Sequence, residues 1–181
     1  MQPLISDKEQ LRRLIVCELK AHDPVHENVL KHTFRVANLC RSFAEKVQLA
    51  QATVEKLEMA CWLHDFGLKN CADSELINWV GELNPFQRQK LERHPLASAE
   101  IAYELLADSD ISDWVLHHHC LRGRGVAGYP VDRCYELKTM PVPLQILICS
   151  DQFDSAFSGR CSDPKTAQAI AAEIEHLGAI R

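Results

Sequence analysis

The stretch Cys61-Trp62-Leu63-His64-Asp65-Phe66-Gly67 decides how this chain is read. It continues an apolar stripe that passes through Val54, Leu57 and Cys61 at helical spacing, so His64 falls where a buried leucine or valine belongs. An ionised carboxylate beside it in the same apolar surroundings costs several kcal/mol unless a cation or hydrogen bonds compensate it. The spacing predicts a helix that ends at the His-Asp dipeptide, with Gly67 as its C-terminal stop.

The same device recurs on both sides of that stretch. His32 lies three residues after Val29 and four before Val36, on a stripe that Cys40, Phe43 and Val47 continue. Asn84-Pro85 starts a short helix towards Arg93, and His94-Pro95 opens the next, with Ile101 and Leu105 facing the core. Ile111, Val115 and His118 repeat at i, i+4 and i+7 on a helix that begins near Asp108 to Asp110. Asp151 shares a stripe with Leu144, Leu147 and Ile148. A first helix follows the capping-box pattern Ser6-x-x-Glu9 and carries Leu11, Leu14, Ile15 and Leu19. A last one runs from Asp163-Pro164 to Gly178 over Ala167, Ile170, Ala171 and Ile174. The segment from Leu121 to Pro143, rich in Gly, Pro and Arg, is expected to be non-helical and to carry function. No strand alternation persists and no internal repeat is present. The expectation is an all-α chain, a single domain over 1–181 built as a helical bundle of about seven to nine helices.

Composition narrows the function classes. The 181 residues, 46% hydrophobic and 25% charged, are those of an ordinary globular domain with a substantial core. A net charge of -5 argues against a coat for duplex nucleic acid, which needs a basic stripe. No apolar run approaches the roughly 20 residues that span a bilayer, and the first residues lack a signal pattern, so a cytoplasmic location without membrane contact is expected. The cysteines contain no Cys-x-x-Cys pair and several fall on apolar stripes, which marks them as reduced, small hydrophobes.

Taken singly, each polar intruder has an ordinary explanation. His32 suits a satisfied core histidine, His94 a helix cap, His117-His118-His119 a solvated run, and Asp151 a local cap. Taken together, His32, His64, Asp65, His94, His118, His119 and Asp151 supply the nitrogen and oxygen donors of a transition-metal hydrolase. They are more donors than one ion needs, which points to two.

In order along the chain, these motifs resemble the HD superfamily of metal-dependent phosphohydrolases, and within it the HD-GYP branch. The residues that carry the resemblance are His32-x-x-Arg35-Val36-Ala37, His64-Asp65-Phe66-Gly67, His94-Pro95, His118-His119 and Gly128-Tyr129-Pro130. Asp151-Gln152-Phe153-Asp154-Ser155-Ala156, with Arg160 after it, completes the set, and the match extends over residues 28–160. The resemblance implies an all-helical fold around two divalent transition metals, usually iron or manganese, with zinc, nickel or magnesium as further options. It also implies phosphodiester hydrolysis, with cyclic di-GMP the best-known substrate. Carried over, one metal falls to His32, His64, Asp65 and Asp151, and the second to His94, His118, His119 and the other oxygen of Asp65. His117 has no counterpart. Asp65 would bridge two ions about 3.5–4 Å apart, which together activate water and clamp the phosphate.

Departures from the family pattern bear on substrate. Leu68 stands where the family has lysine, and the catalytic candidate Lys69 lies one residue later, about 100° further round if the helix continues. Cys120 replaces a glutamate, Asn28 stands where three-metal members carry an acid, and the Asp-Gly before Gly-Tyr-Pro is missing. These changes argue against a third metal and against carrying cyclic di-GMP over unchanged. In the altered loop, Arg122 and Arg124 are candidate phosphate donors, although solvated loop arginines would look the same, and Tyr129 is a candidate stacking surface.

Three functions fit. The leading one is a dinuclear phosphodiesterase acting on a cyclic dinucleotide or related nucleotide. The second is an HD-type nucleotide phosphomonoesterase, and the third a catalytically silent signalling module. No sensory domain is legible in these residues, so a signalling protein partner or the substrate itself is expected to provide the input. The sequence leaves the oligomeric state open.

Overall fold

The computed structural model describes residues 2–5, 7–22, 24–70, 84–120 and 139–158. Among them are seven α-helices and one 3-10 turn, with no β-strand, so the described part of the chain is all-α as its periodicity predicts. The helices are α1 (Lys8–His22), α2 (Pro24–Lys46), α3 (Gln51–Leu63), α4 (Pro85–Glu92), α5 (His94–Leu106), α6 (Ser109–His117) and α7 (Val142–Phe157), with the 3-10 turn Phe66–Asn70 after α3. The predicted helix at 163–178, and all of the irregular segment up to residue 138, lie outside the described residues.

α3 is the central element and packs against α1, α2, α5, α6 and α7. Its Val54, Leu57, Ala60, Cys61, Trp62 and Leu63 are all buried, which fits a helix with neighbours on several sides. Leu11, Ile15 and Leu19 on α1 and Val29, Val36 and Cys40 on α2 are buried, so the predicted stripes face the core. α7 is buried continuously from Pro143 to Asp151. The cysteines at 17, 40, 61, 120 and 149 are free thiols, the last four of them buried. Among the described residues no helix is long and apolar enough to cross a membrane.

Local signals explain most helix starts. Asp7 Oδ1 accepts from Glu9 N at 3.0 Å, a capping contact one residue beyond Ser6, which lies outside the described residues. Asn84 and Gln87 exchange side-chain and backbone hydrogen bonds in a capping box at the head of α4. Asp108 accepts from Asp110 N and Ile111 N at the head of α6. Ile101 and Leu105 on α5 pack against the core while staying partly exposed.

Two expectations need correction. The irregular segment was predicted to run to Pro143, but α7 already begins at Val142 and takes Pro143 into its first turn. Proline suits that position, because its fixed φ is helical and its missing N–H is not needed there. Gly67 is no helix stop: α3 ends at Leu63, and Gly67 lies inside the following 3-10 turn. A Cβ there would stand 2.6 Å from His94 O and 2.8 Å from both Ser98 N and Ser98 Oγ. Its N–H donates to Ser98 Oγ at 2.7 Å. Glycine is required for the close approach of this turn to α5, which sets the dipeptide at 64–65 beside His94.

Candidate metal centre

All seven donor side chains named above converge on one place. Asp65, in the turn after α3, divides its carboxylate between two pairs of imidazoles. Oδ2 lies 3.5 Å from His32 Nε2 and 3.4 Å from His64 Nε2, while Oδ1 lies 3.1 Å from His94 Nε2 and 3.7 Å from His118 Nε2. Asp151 on α7 joins the first pair, with Oδ1 3.1 Å from His32 Nε2 and 3.9 Å from His64 Nε2. Its other oxygen is 4.0 Å from Nδ1 of His119. Two groups of donors close enough to hold an ion result, one of His32, His64 and Asp65 and one of Asp65, His94, His118 and His119. Six of the seven side chains are buried and His119 is partly exposed, so the centre meets solvent on its side.

A match to the HD domain family model covers residues 29–152. The chain belongs to the HD domain family. Over 152 residues it is 30% identical to the cyclic di-GMP phosphodiesterase response regulator RpfG of Xanthomonas campestris pv. campestris, an alignment covering 81% of this chain and 38% of that protein. Over 153 residues it is 24% identical to the 3'3'-cGAMP-specific phosphodiesterase 1 of Vibrio cholerae serotype O1, covering 84% of this chain and 34% of that protein. The chain therefore spans less than two-fifths of the length of these relatives.

The hydrogen bonds of this HD domain show how the ring nitrogens are oriented. His64 Nδ1 donates to Cys61 O at 2.7 Å, His94 Nδ1 to Leu91 O at 2.6 Å and His118 Nδ1 to Val115 O at 2.6 Å. A carbonyl only accepts, so each Nδ1 carries a hydrogen, which leaves Nε2 as the atom of each ring that can coordinate an ion when its lone pair is free of a proton. Those atoms face one another: His32 and His64 Nε2 are 3.3 Å apart, as are His94 and His118 Nε2. Two lone pairs at that distance repel unless a cation or proton lies with them, and this is the observation by which the donor set fits metal ions.

Electrostatics point the same way. Burial by itself would raise the pKa of Asp65, but the surrounding His64, His118 and His94 hold it well below the usual carboxylate range. Asp151 is likewise held down against its burial, chiefly by His32 and His119. Burial works against a proton on His64, yet Asp65 and Asp151 outweigh it and hold its pKa up at about 9. Burial pushes His118 and His119 down, so those rings stay neutral. Two buried carboxylates thus demand positive charge from whatever occupies the centre.

Asp154 and Arg35 stand in the motifs quoted from sequence, but sequence assigned them no role. His32 Nδ1 donates to Asp154 Oδ2 at 2.7 Å, and Arg35 donates to both oxygens of Asp154, Nε to Oδ1 at 2.6 Å and Nη2 to Oδ2 at 2.8 Å. Burial would raise Asp154, but His32 and Arg35 together hold its pKa at about 2.

Other candidates lie elsewhere. Lys69, the catalytic candidate, is engaged otherwise: its Nζ pairs with Glu18 at 3.1 Å and sits 4.4 Å from the centre of the Phe66 ring. Leu68, at the position where the family carries lysine, is buried. His117 is buried too, and its Nδ1 donates to Asp113 O at 2.9 Å. Arg122, Arg124, Tyr129 and Arg160 lie outside the described residues.

Proposed function

We propose that this chain is a dinuclear metal-dependent phosphodiesterase of the HD-GYP type, acting on a cyclic dinucleotide or a related nucleotide. The observation that carries the reading is the divided carboxylate of Asp65, one oxygen among His32 and His64 and the other among His94 and His118. A single carboxylate shared in this way is how a protein holds two cations close together. The printed activities of the two relatives, both cyclic-dinucleotide phosphodiesterases, support the substrate class.

Divalent ions held there would supply Lewis acidity, making a bound water a nucleophile at neutral pH and neutralising charge on the phosphate oxygens. The chain's own residues do the rest. His32, His64, Asp65 and Asp151 would hold one ion, and His94, His118, His119 and Asp65 the other. The carbonyls of Cys61, Leu91 and Val115 fix the tautomers, so three Nε2 atoms are presented without rearrangement. Burial of six of the seven side chains keeps bulk water from competing for the ions. Arg122 and Arg124 are assigned to the substrate phosphates and Tyr129 to a base, and 1–181 is taken as a single domain.

Purification without chelator is expected to yield two transition-metal ions per chain by elemental analysis, with iron and manganese foremost. Asp65→Ala is expected to abolish hydrolysis of a bis-aryl phosphodiester, and activity that survives it overturns the mechanism. A second reading, a nucleotide phosphomonoesterase, is favoured by buried Leu68 and by the engagement of Lys69 with Glu18, which leave the family's lysine position without a cation. Comparing nucleoside monophosphates with cyclic dinucleotides on the same metal-loaded sample decides between them: a clear preference for the monoesters replaces the leading reading.

A further inference from the structure

The four imidazoles whose Nε2 atoms meet at the centre are not aimed by the same means. His64, His94 and His118 are each held by a backbone carbonyl three residues earlier in the chain. His32 alone is held by a side chain, the carboxylate of Asp154 from a helix 122 residues away. That carboxylate is in turn gripped by both ends of the Arg35 fork. Arg35 follows His32 by one helical turn on α2, and Asp154 follows Asp151 by one turn on α7. The four residues therefore form a rectangle across the α2–α7 contact. Its inner edge joins His32 Nε2 to Asp151 Oδ1 at 3.1 Å, and its outer edge joins Arg35 to Asp154.

We infer that the Arg35–Asp154 pair positions His32, and with it the half of the centre formed by His32, His64 and Asp151, while the half at His94 and His118 does not depend on it. The inference rests on the two-metal reading above. The two parallel bonds from the guanidinium fix the plane of the Asp154 carboxylate, and that plane directs an Oδ2 lone pair at His32 Nδ1. The carboxylate is buried with 7% of its side chain exposed, whereas Arg35 is 47% exposed, so the arginine is the solvent-facing end of the arrangement. A ring aimed by a side chain loses its aim on a single substitution; rings aimed by their own backbone do not. The pair acts through His32 and touches no reacting atom, which makes both residues positioning residues.

The test is a calorimetric titration of chelator-stripped protein with Mn²⁺ alone, run on wild type, Asp154→Asn, Arg35→Gln and Arg35→Lys. Melting of each metal-free protein is recorded alongside. Wild type is expected to take up two ions. In Asp154→Asn one binding step should weaken about 10–100-fold, as happens when the carboxylate behind a ligating histidine is lost, while the other step keeps its affinity. Arg35→Gln should weaken the same step by less. Arg35→Lys should not restore it, because an ammonium cannot make the two parallel bonds. A purely structural role would lower melting or weaken both steps together, and that result overturns the inference. Two undisturbed steps in Asp154→Asn also overturn it and leave the two-metal reading standing. Wild-type protein that binds no Mn²⁺ removes both. Should Asp154→Asn fail to fold, the half-exposed Arg35 variants decide alone, and unchanged steps in them count against the inference.

Discussion

His117 and His118 are neighbours in sequence and serve different ends. His118 Nδ1 donates to Val115 O and its Nε2 looks into the centre, whereas His117 donates to the carbonyl of Asp113 and lies 3.1 Å from the Asp113 carboxylate. His118→Gln is therefore expected to remove one of two metal equivalents per chain, and His117→Gln to retain both, as read by elemental analysis after gel filtration. Equal losses from the two variants would mean that the ring directions differ from those described. Of the seven side chains that converge, His32, His64, His118 and Asp151 were legible because each occupies a position where helical spacing asks for an aliphatic side chain, whereas Asp65, His94 and His119 lie off those stripes and owed their assignment to the family resemblance. Asp154 and Arg35 were only half legible. Both sit in recognisable motifs, but their pairing spans 119 residues, and periodicity carries no information about partners at that range. Lys69 shows the same limit from the other side: one residue's shift in phase sends a long flexible side chain to Glu18 on α1.

Among the elements, the 3-10 turn that follows α3 and packs on α5 is the most exacting. The atoms that a Cβ at position 67 would meet include His94 O and Ser98 N, both backbone, so the neighbour cannot rotate out of the way as a side-chain end would. Gly67→Ala is expected to cost about 1–3 kcal/mol, the usual range for overpacking. That corresponds to a fall in melting temperature of roughly 2–4 °C per kcal/mol for a chain of this size, measured on metal-free protein. A variant as stable as wild type would show that α5 can yield. Helix starts at Asn84 and Asp108 could be read in advance because capping is chemistry within four residues. The purpose of Gly67 could not, since its cause is an element that begins 27 residues later, at His94. The head of α7 was misread for a local reason, since proline marks the first turn of a helix as readily as the end of a loop.

Across the whole molecule, charged ties outside the core bind the early helices together. Glu58 on α3 accepts from Lys8 ahead of α2 at 2.7 Å and also from Arg41 on α2. Burial would raise its carboxyl, but Lys8 and Arg41 hold its pKa below the ordinary 4.5. A depressed carboxyl contributes stability that is present above the unfolded pKa and lost as pH falls through the folded one. Glu58→Gln is therefore expected to destabilise by about 1 kcal/mol at pH 7, a modest figure because both cations are partly exposed. The gap to wild type should narrow as pH falls below the ordinary carboxyl range and through the depressed pKa of Glu58, as followed by urea titration across pH; a gap that stays constant would remove the charge explanation. A different property follows from the order in which the donors appear along the chain. His32 comes early and Asp151 late, with every other donor between them. During synthesis, then, the proposed ligand set of His32, His64, Asp65 and Asp151 would stay incomplete until α7 has emerged from the ribosome, and His32 would meanwhile lack both Asp151 and Asp154. If the proposed ion binds there, a polypeptide translated past α7 is expected to hold it more tightly than one that stops short of α7.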